Sequence, residues 1–284
     1  MKRNLLARLR SNGSYYIIGG LLLLLGVPLY QVVILGPTGF SNALEATGAG
    51  RYTAYLAWIS SHSVSFLIYR LILIFAFLLL WTFPFNLHRI IVAQELMDQQ
   101  ERDESAHHNQ DLTEAAIGKD DDGDAEEDED DGMPAYPWRG KGFVVLAAWL
   151  GVIGLSIYLI GSIVSTAYLF LAASSTGSAI HNSVTTLSPI FSIITNVIGT
   201  GLIGLGCLFS GAMIARTGKN LWPGVWVAFG YVSLFIGAML CISAVAVISV
   251  AGNGQSTLTT VATLLFAGWA IWLGVMLVRL KAEQ

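Results

Sequence analysis

Long apolar runs separated by short polar segments dominate the chain. A helix of about 20 residues crosses a hydrocarbon layer of about 30 Å, so apolar runs of about eighteen residues or more predict transmembrane helices. The runs lack the polar–apolar alternation of membrane β-strands, which favours helices over a barrel. We predict six transmembrane helices, at approximately Tyr15–Leu35, Ser63–Phe83, Val144–Leu171, Ser188–Ile214, Val225–Val250 and Leu258–Val278.

Basic residues indicate which ends of these helices face the cytoplasm. They precede the first run and follow the second, fourth and sixth runs, whereas Arg51 is the only basic residue in the other connections. Lys and Arg are enriched in cytoplasmic loops. We therefore predict an all-α integral protein of the plasma membrane, with six transmembrane helices and both termini in the cytoplasm.

The spacing of the runs predicts three segments. Residues 1–85 carry two transmembrane helices, which we expect to form a hairpin. Residues 86–142 form a cytoplasmic loop, whose first part contains good helix formers that could extend the second helix. Residues 143–284 carry four transmembrane helices joined by short connections, and we expect them to form a four-helix unit.

The charge of the chain is divided very unevenly. Residues 95–131 contain seventeen acidic and two basic residues, a net charge of −15, whereas the other 247 residues contain thirteen basic and two acidic residues, a net charge of +11. Blocks of like charge repel one another, so we predict that residues 105–132 are disordered. We interpret the block either as a solvated spacer or as a docking segment for a basic cytoplasmic protein, with candidate contact residues Asp120, Asp121, Asp122, Asp124, Glu126 and Glu127.

Metal and cofactor sites are not predicted. Neither glycine register in the acidic segment has carboxylates at all the positions that an EF-hand requires. His62 and His181 fall on the same predicted side of the membrane, but two histidines without a third ligand are a weak metal signal. Cys207 and Cys241 are predicted at different depths, so we expect two free, buried thiols.

The sequence contains no motif for a metalloprotease, a serine hydrolase, a nucleotide-binding loop or a dithiol redox centre. It also has no pair of carboxylates within a predicted span, as a proton or cation pump would need. We therefore expect a protein that is not an enzyme, binds no cofactor and has no nucleic-acid partner.

Arg70 is the only Asp, Glu, Lys or Arg that lies deep within a predicted span. A charge near the membrane centre costs about 2.5–3.5 kcal/mol on insertion scales, so the side chain needs water or a partner. In a structural interpretation it reaches the outer interface, about 10 Å away, or pairs with Glu45, the only acidic residue on that side. In a functional interpretation it contacts an anion or a lipid headgroup, or it gates a polar path.

Small residues recur at helical spacing in the third, fourth and fifth runs, for example Gly204 with Thr200 and Gly237 with Ser233. Lipid provides no hydrophobic drive between helices, so such residues allow the close backbone contact that packs them. We interpret them as packing within the chain, and the alternative is a face that docks a second membrane subunit.

Two functions remain open. The first is a non-enzymatic scaffold or accessory subunit in the lipid bilayer, whose acidic cytoplasmic loop recruits or regulates a partner. The alternative is a permease or channel-like protein for a neutral or anionic small solute. Its path would run between the second, fourth and fifth helices and be lined by Arg70, Thr195, Asn196, Thr200 and Ser233.

Overall fold

The computed structural model of the protein describes residues 3–45, 51–94, 141–175, 178–221, 223–249 and 257–279. These residues form helices joined by turns, with no strand among them. Six helices in these ranges are long and apolar enough to cross a membrane, which confirms the prediction for this part of the chain. We call them spans 1 to 6, in order Leu9–Thr38, Ser63–Gln94, Gly142–Ser174, Ser183–Arg216, Gly224–Val247 and Thr257–Arg279.

Span 1 is not a uniform α-helix. An α-helix over Arg3–Leu21 is followed by wider π-helical turns at Leu22–Gly26 and Gln31–Leu35. Pro28 lies between these turns and has no N–H for an α-helical hydrogen bond, so the regular pattern is interrupted there. The chain then leaves the span through a tight turn that ends at Gly39, whose φ of 81° suits glycine.

Two connections contain helices that the apolar runs did not identify. Helices Phe40–Glu45 and Arg51–Ser61 follow span 1, and helix Ser178–Ser192 leads into span 4. The residues between the third and fourth predicted runs are therefore helical from Ser178 onward. The apolar faces of these helices are short, which is why the search for long apolar runs did not find them. Leu56 and Ile59 of the first connection and Val184 of helix Ser178–Ser192 are buried. The remaining helical segments are Val27–Tyr30, Ser63–Leu79, a helix over 83–94, Lys141–Ser174, a π-helical Ile193–Gly199, Thr200–Leu221, Gly224–Ser249 and Thr257–Arg279.

The six spans form a closed ring. Each span packs against the next one in the chain, and span 1 packs along span 6 to complete the circuit. Neighbours run antiparallel: Phe77 and Phe85 of span 2 contact Tyr158 and Trp149 of span 3, so residue numbers rise along one helix as they fall along the other. Span 1 thus has two neighbours, span 2 and span 6, and the predicted division into two units stays a prediction.

Small residues bring three pairs of neighbouring helices into backbone contact. A Cβ atom added to Gly13 would lie 2.8 Å from the carbonyl oxygen of Gly274, and one added to Gly204 would lie 3.0 Å from that of Gly237. Only glycine fits at such distances, since a real Cβ atom would push the helices apart. The structure therefore uses these residues for packing within the chain.

These contacts repeat after seven residues, which is two helical turns. The sets that face each other are Gly13 and Gly20 against Gly274 and Ala267, Ala147 and Gly154 against Gly206 and Gly199, and Gly204 and Gly211 against Gly237 and Gly230. A seven-residue period keeps one face of a helix against its neighbour when the two cross at a shallow angle. Spans 1 and 6, 3 and 4, and 4 and 5 are joined in this way.

The outward faces of the spans are apolar. Val32, Val64 and Val245 are 71%, 70% and 66% exposed, and many other large aliphatic side chains on the same faces are also exposed. A protein in water rarely presents apolar surface on this scale. Such a surface is suited to contact with lipid hydrocarbon, which agrees with the length and composition of the six spans.

Replacing Gly274 by alanine tests the close contact between spans 1 and 6. The added Cβ would lie 2.6 Å from the carbonyl oxygen of Gly13, so we expect Gly274→Ala to lower the free energy of unfolding by about 1–3 kcal/mol. Gly268 lies on the same span with open space at its Cβ position, so Gly268→Ala is the matched control and should be neutral or slightly stabilising. Thermal unfolding in detergent measures both, and equal effects would contradict the packing.

Candidate functional site

Arg70 lies seven residues inside span 2, about 10 Å along the helix from Ser63. The described side chains include five arginines and no Asp or Glu, and four of these arginines lie close to a span end. Arg70 is the exception among them. Its side chain is partly exposed, yet its Nε atom is buried and has no hydrogen-bond partner among the described residues. An unpaired buried donor of this kind is unusual in folded proteins.

Aromatic side chains surround the guanidinium group. Its Cζ atom lies 5.5 Å from the centroid of the Phe66 ring, within the range of a cation–π contact. A side-chain hydrogen bond joins it to Tyr55, in which the guanidinium donates to the phenol oxygen. Tyr69 and Tyr158 also lie within electrostatic reach of the charge. Three phenols and one phenyl ring therefore make up the known surroundings of Arg70.

A cluster of rings, which we call the aromatic cap, packs next to this group. Phe40 lies at its centre, with ring centroids 4.8 Å from Trp58, 5.9 Å from Tyr69 and 6.4 Å from Tyr55. Trp58 also donates from Nε1 to the backbone oxygen of Thr38, 3.0 Å away. The short helices of the first connection thus position Tyr55 over the end of span 2.

Burial raises the pKa of Tyr55 above its ordinary value, although the nearby Arg70 guanidinium acts in the opposite direction. The phenol is therefore neutral at physiological pH. Because it accepts a hydrogen bond from Arg70, its own proton remains available for donation to another group.

The other polar residues predicted for a path make hydrogen bonds within the bundle. Thr195 donates to the Phe191 oxygen at 2.8 Å, and Thr200 contacts the Thr195 oxygen at 3.3 Å within the π-helical segment of span 4. Asn196 donates to the Ser192 hydroxyl at 3.2 Å. All three of these hydrogen bonds lie within span 4.

Ser233 of span 5 donates to the backbone oxygen of Cys207 in span 4, at 2.8 Å. It is fully buried and lies on the same face as Gly230 and Gly237, so its hydroxyl joins the two helices. Thr200, by contrast, shares the lining of one small cavity with Tyr158. The structure thus connects Thr200 to the surroundings of Arg70 through Tyr158, and the role of these residues in a path stays a prediction.

The gaps between the described spans include two small cavities. One measures about 20 Å³ and lies between spans 2, 3, 4 and 6, near Gly151, Cys207 and Trp269. The other measures about 10 Å³ and is lined by Phe77, Tyr158 and Thr200 among others. Each holds roughly one water-sized sphere.

A buried polar contact joins spans 1 and 2 at the opposite end of the bundle. Asn86 donates from Nδ2 to the hydroxyl of Tyr16, and that hydroxyl lies 2.9 Å from the Thr82 Oγ1 atom. Tyr16 and Asn86 are almost fully buried. Pro84 interrupts the helix of span 2 at residues 80–82, and this break turns Thr82 toward span 1. The helix then continues to Gln94, as predicted for the extension of the second helix.

The remaining predicted sites have different outcomes. Both cysteines are free, Cys207 buried and Cys241 partly buried. His62 stacks on Trp58 and contacts Ser61, while the side chain of His181 lies outside the described part. The Glu45 side chain and the docking candidates from Asp120 to Glu127 also lie outside it. Within the described residues no three potential ligands come together to hold a metal ion.

Sequence reasoning missed the phenols around Arg70. Tyr69 is its neighbour in the chain, but Tyr55 and Tyr158 come from another helix each, and a single sequence gives no signal for their contact. The Tyr16–Asn86 contact was missed for the same reason. Pro84, four positions after a run of three leucines, is a signal in the sequence for the break in span 2.

The six long apolar helices suggest a multi-pass membrane protein. Comparison of the chain with protein-family models, with curated proteins and with solved structures finds no match.

Removing the Tyr16 hydroxyl tests the contact between spans 1 and 2. Tyr16→Phe leaves the buried amide of Asn86 without its acceptor, so we expect a loss of about 1–2 kcal/mol in the free energy of unfolding. Tyr15→Phe is the control, because Tyr15 is about half exposed. Denaturation in mixed detergent micelles measures both variants, and a neutral Tyr16→Phe would argue against the hydrogen bond.

Proposed function

We propose that the protein is a non-enzymatic scaffold or accessory subunit of the plasma membrane, whose acidic cytoplasmic loop recruits a basic protein. The observation that carries this proposal is the division of charge, −15 in residues 95–131 and +11 elsewhere. A polyanion fixed to a membrane attracts basic surfaces over distances of about one Debye length, about 8 Å at physiological salt. Anionic lipid repels a polyanion, so we expect the loop to be held off the inner leaflet.

The packing of the bundle supports a structural role. Three helix pairs are locked by glycine contacts too close for any larger residue, and the ring of spans is closed. Buried hydroxyl groups such as that of Ser233 join the helices rather than line an open route. A rigid ring of this kind suits a platform that holds a loop at a fixed place on the membrane. Transport of a small solute remains the alternative hypothesis.

The arrangement of arginines supports the proposed orientation. Arg10 begins span 1, while Arg89, Arg216 and Arg279 lie near the ends of spans 2, 4 and 6. In an antiparallel ring all four fall at the same end of the bundle. The positive-inside rule assigns this end to the cytoplasm, together with both termini and the loop between spans 2 and 3.

Thiol labelling tests this orientation. In a background without Cys207 and Cys241, we expect a membrane-impermeant maleimide added to intact cells to label Ser175→Cys and to leave Ala125→Cys unlabelled. Permeabilised cells should label both, which controls for the reactivity of Ala125→Cys. Labelling of Ala125→Cys in intact cells would invert the orientation and remove the basis for a cytoplasmic partner.

Neutralising the loop tests recruitment. We expect the full chain to co-purify with a partner in mild detergent at low salt and to lose it as ionic strength rises, since exposed charges are screened. Replacing every Asp and Glu in 120–131 by Asn and Gln keeps the length and should abolish the contact. The matched control removes the charge of Arg216 and Arg279 instead. A partner retained by the neutralised loop, or a lone monomer at every salt concentration, contradicts the proposal.

A further inference from the structure

The surroundings of Arg70 combine a charge with groups that cannot neutralise it. The guanidinium is a cation that has N–H donors and no acceptor. Phe66 offers a ring face, and Tyr55 is a neutral phenol. The described side chains contain no Asp or Glu, so none of them supplies a negative charge to Arg70. Its buried Nε–H still lacks an acceptor within this part of the chain.

The donors of this group suit an anion with several oxygen atoms. A guanidinium presents N–H groups in a planar fork that matches phosphate or carboxylate oxygens. The Tyr55 phenol accepts one N–H from Arg70 and can donate its own proton onward. Tyr69 of span 2 and Tyr158 of span 3 lie within electrostatic reach of the same charge, and the Tyr158 hydroxyl also hydrogen-bonds with Ser162. A neutral solute would leave the charge unpaired, and a cation would be repelled.

We propose that Arg70, with Tyr55, Tyr69 and Tyr158, forms a binding site for an oxyanion of the phosphate type. Arg70 provides the charge and its planar fork of N–H groups, while the phenols donate to the remaining oxygens. The Arg70 side chain is only partly buried, so the anion reaches it from the surface of the bundle. The aromatic cap lies beside this point, and Tyr and Trp commonly lie at the headgroup level of membranes. This site is independent of the acidic loop.

Two sources of the same chemistry exist, a phospholipid headgroup and free phosphate, and the experiment has one arm for each. In the first arm, native mass spectrometry measures phosphatidylglycerol binding to the full chain in detergent, with diacylglycerol as the lipid that lacks phosphate. We expect binding to weaken at least about tenfold in Arg70→Gln, or about 1.4 kcal/mol. Arg89→Gln is the matched control, because Arg89 is exposed and lies near the other end of span 2.

In the second arm, thermal unfolding is recorded in inorganic phosphate and in chloride at equal ionic strength. If the ligand is a free anion, phosphate raises the Tm of the wild type and of Arg89→Gln, and it leaves the Tm of Arg70→Gln unchanged. Tyr55→Phe and Tyr158→Phe keep their rings and lose only a hydroxyl, so each should weaken binding in whichever arm responds. A response that requires Arg70 in either arm supports the proposal and identifies the source.

Equal binding by the wild type and Arg70→Gln in both arms overturns the proposal. A double-mutant cycle with Glu45→Gln in the same samples then shows whether Glu45 is the partner, through coupled losses of stability. If Arg70→Gln does not fold, Arg70→Lys replaces it as the test variant, because lysine keeps the positive charge and lacks the planar fork of N–H groups. Unchanged binding in Arg70→Lys and in both tyrosine variants would overturn the proposal equally.

Discussion

Close contact between helix backbones is the constraint on which the rest of this structure depends. In lipid, helices gain nothing from hiding apolar surface, so they associate through van der Waals packing at short distance. Here glycine and alanine residues seven positions apart make that distance possible in three interfaces. Each contact fixes how far one helix is shifted along its neighbour. The positions of all larger side chains between the helices follow from these shifts.

The surroundings of Arg70 illustrate this dependence. A Cβ atom added to Gly199 would lie 3.2 Å from the Cβ atom of Tyr158, so Tyr158 is held beside span 4 by the same contact that joins Gly154 to Gly199. Its ring then packs on Phe77 of span 2, at 4.3 Å between centroids. Tyr158 is thereby directed toward the span that carries Arg70. In this protein the packing of small residues therefore also determines where Tyr158 lies relative to Arg70.

Hydropathy predicted the six spans because the cost of placing polar backbone and charge in hydrocarbon is large and local in sequence. Periodicity identified Gly204 and Gly237, but their seven-residue repeat was clear only from the contacts. The helix Arg51–Ser61 was missed because its apolar face is short. Tyr55 and Tyr158 could not be assigned to Arg70, since contact between distant helices depends on their relative shift and rotation. One sequence alone records neither.

Closure of the ring has a consequence for biogenesis. Five of the six interfaces join helices that are consecutive in the chain, so each can form soon after its second helix leaves the ribosome. The interface of Gly13 and Gly20 with Ala267 and Gly274 cannot, because span 6 is synthesised after the other five spans. Until then the glycine face of the first helix is open to lipid or to chaperones. A chain that lacks span 6 would leave that face without the helix that it packs against.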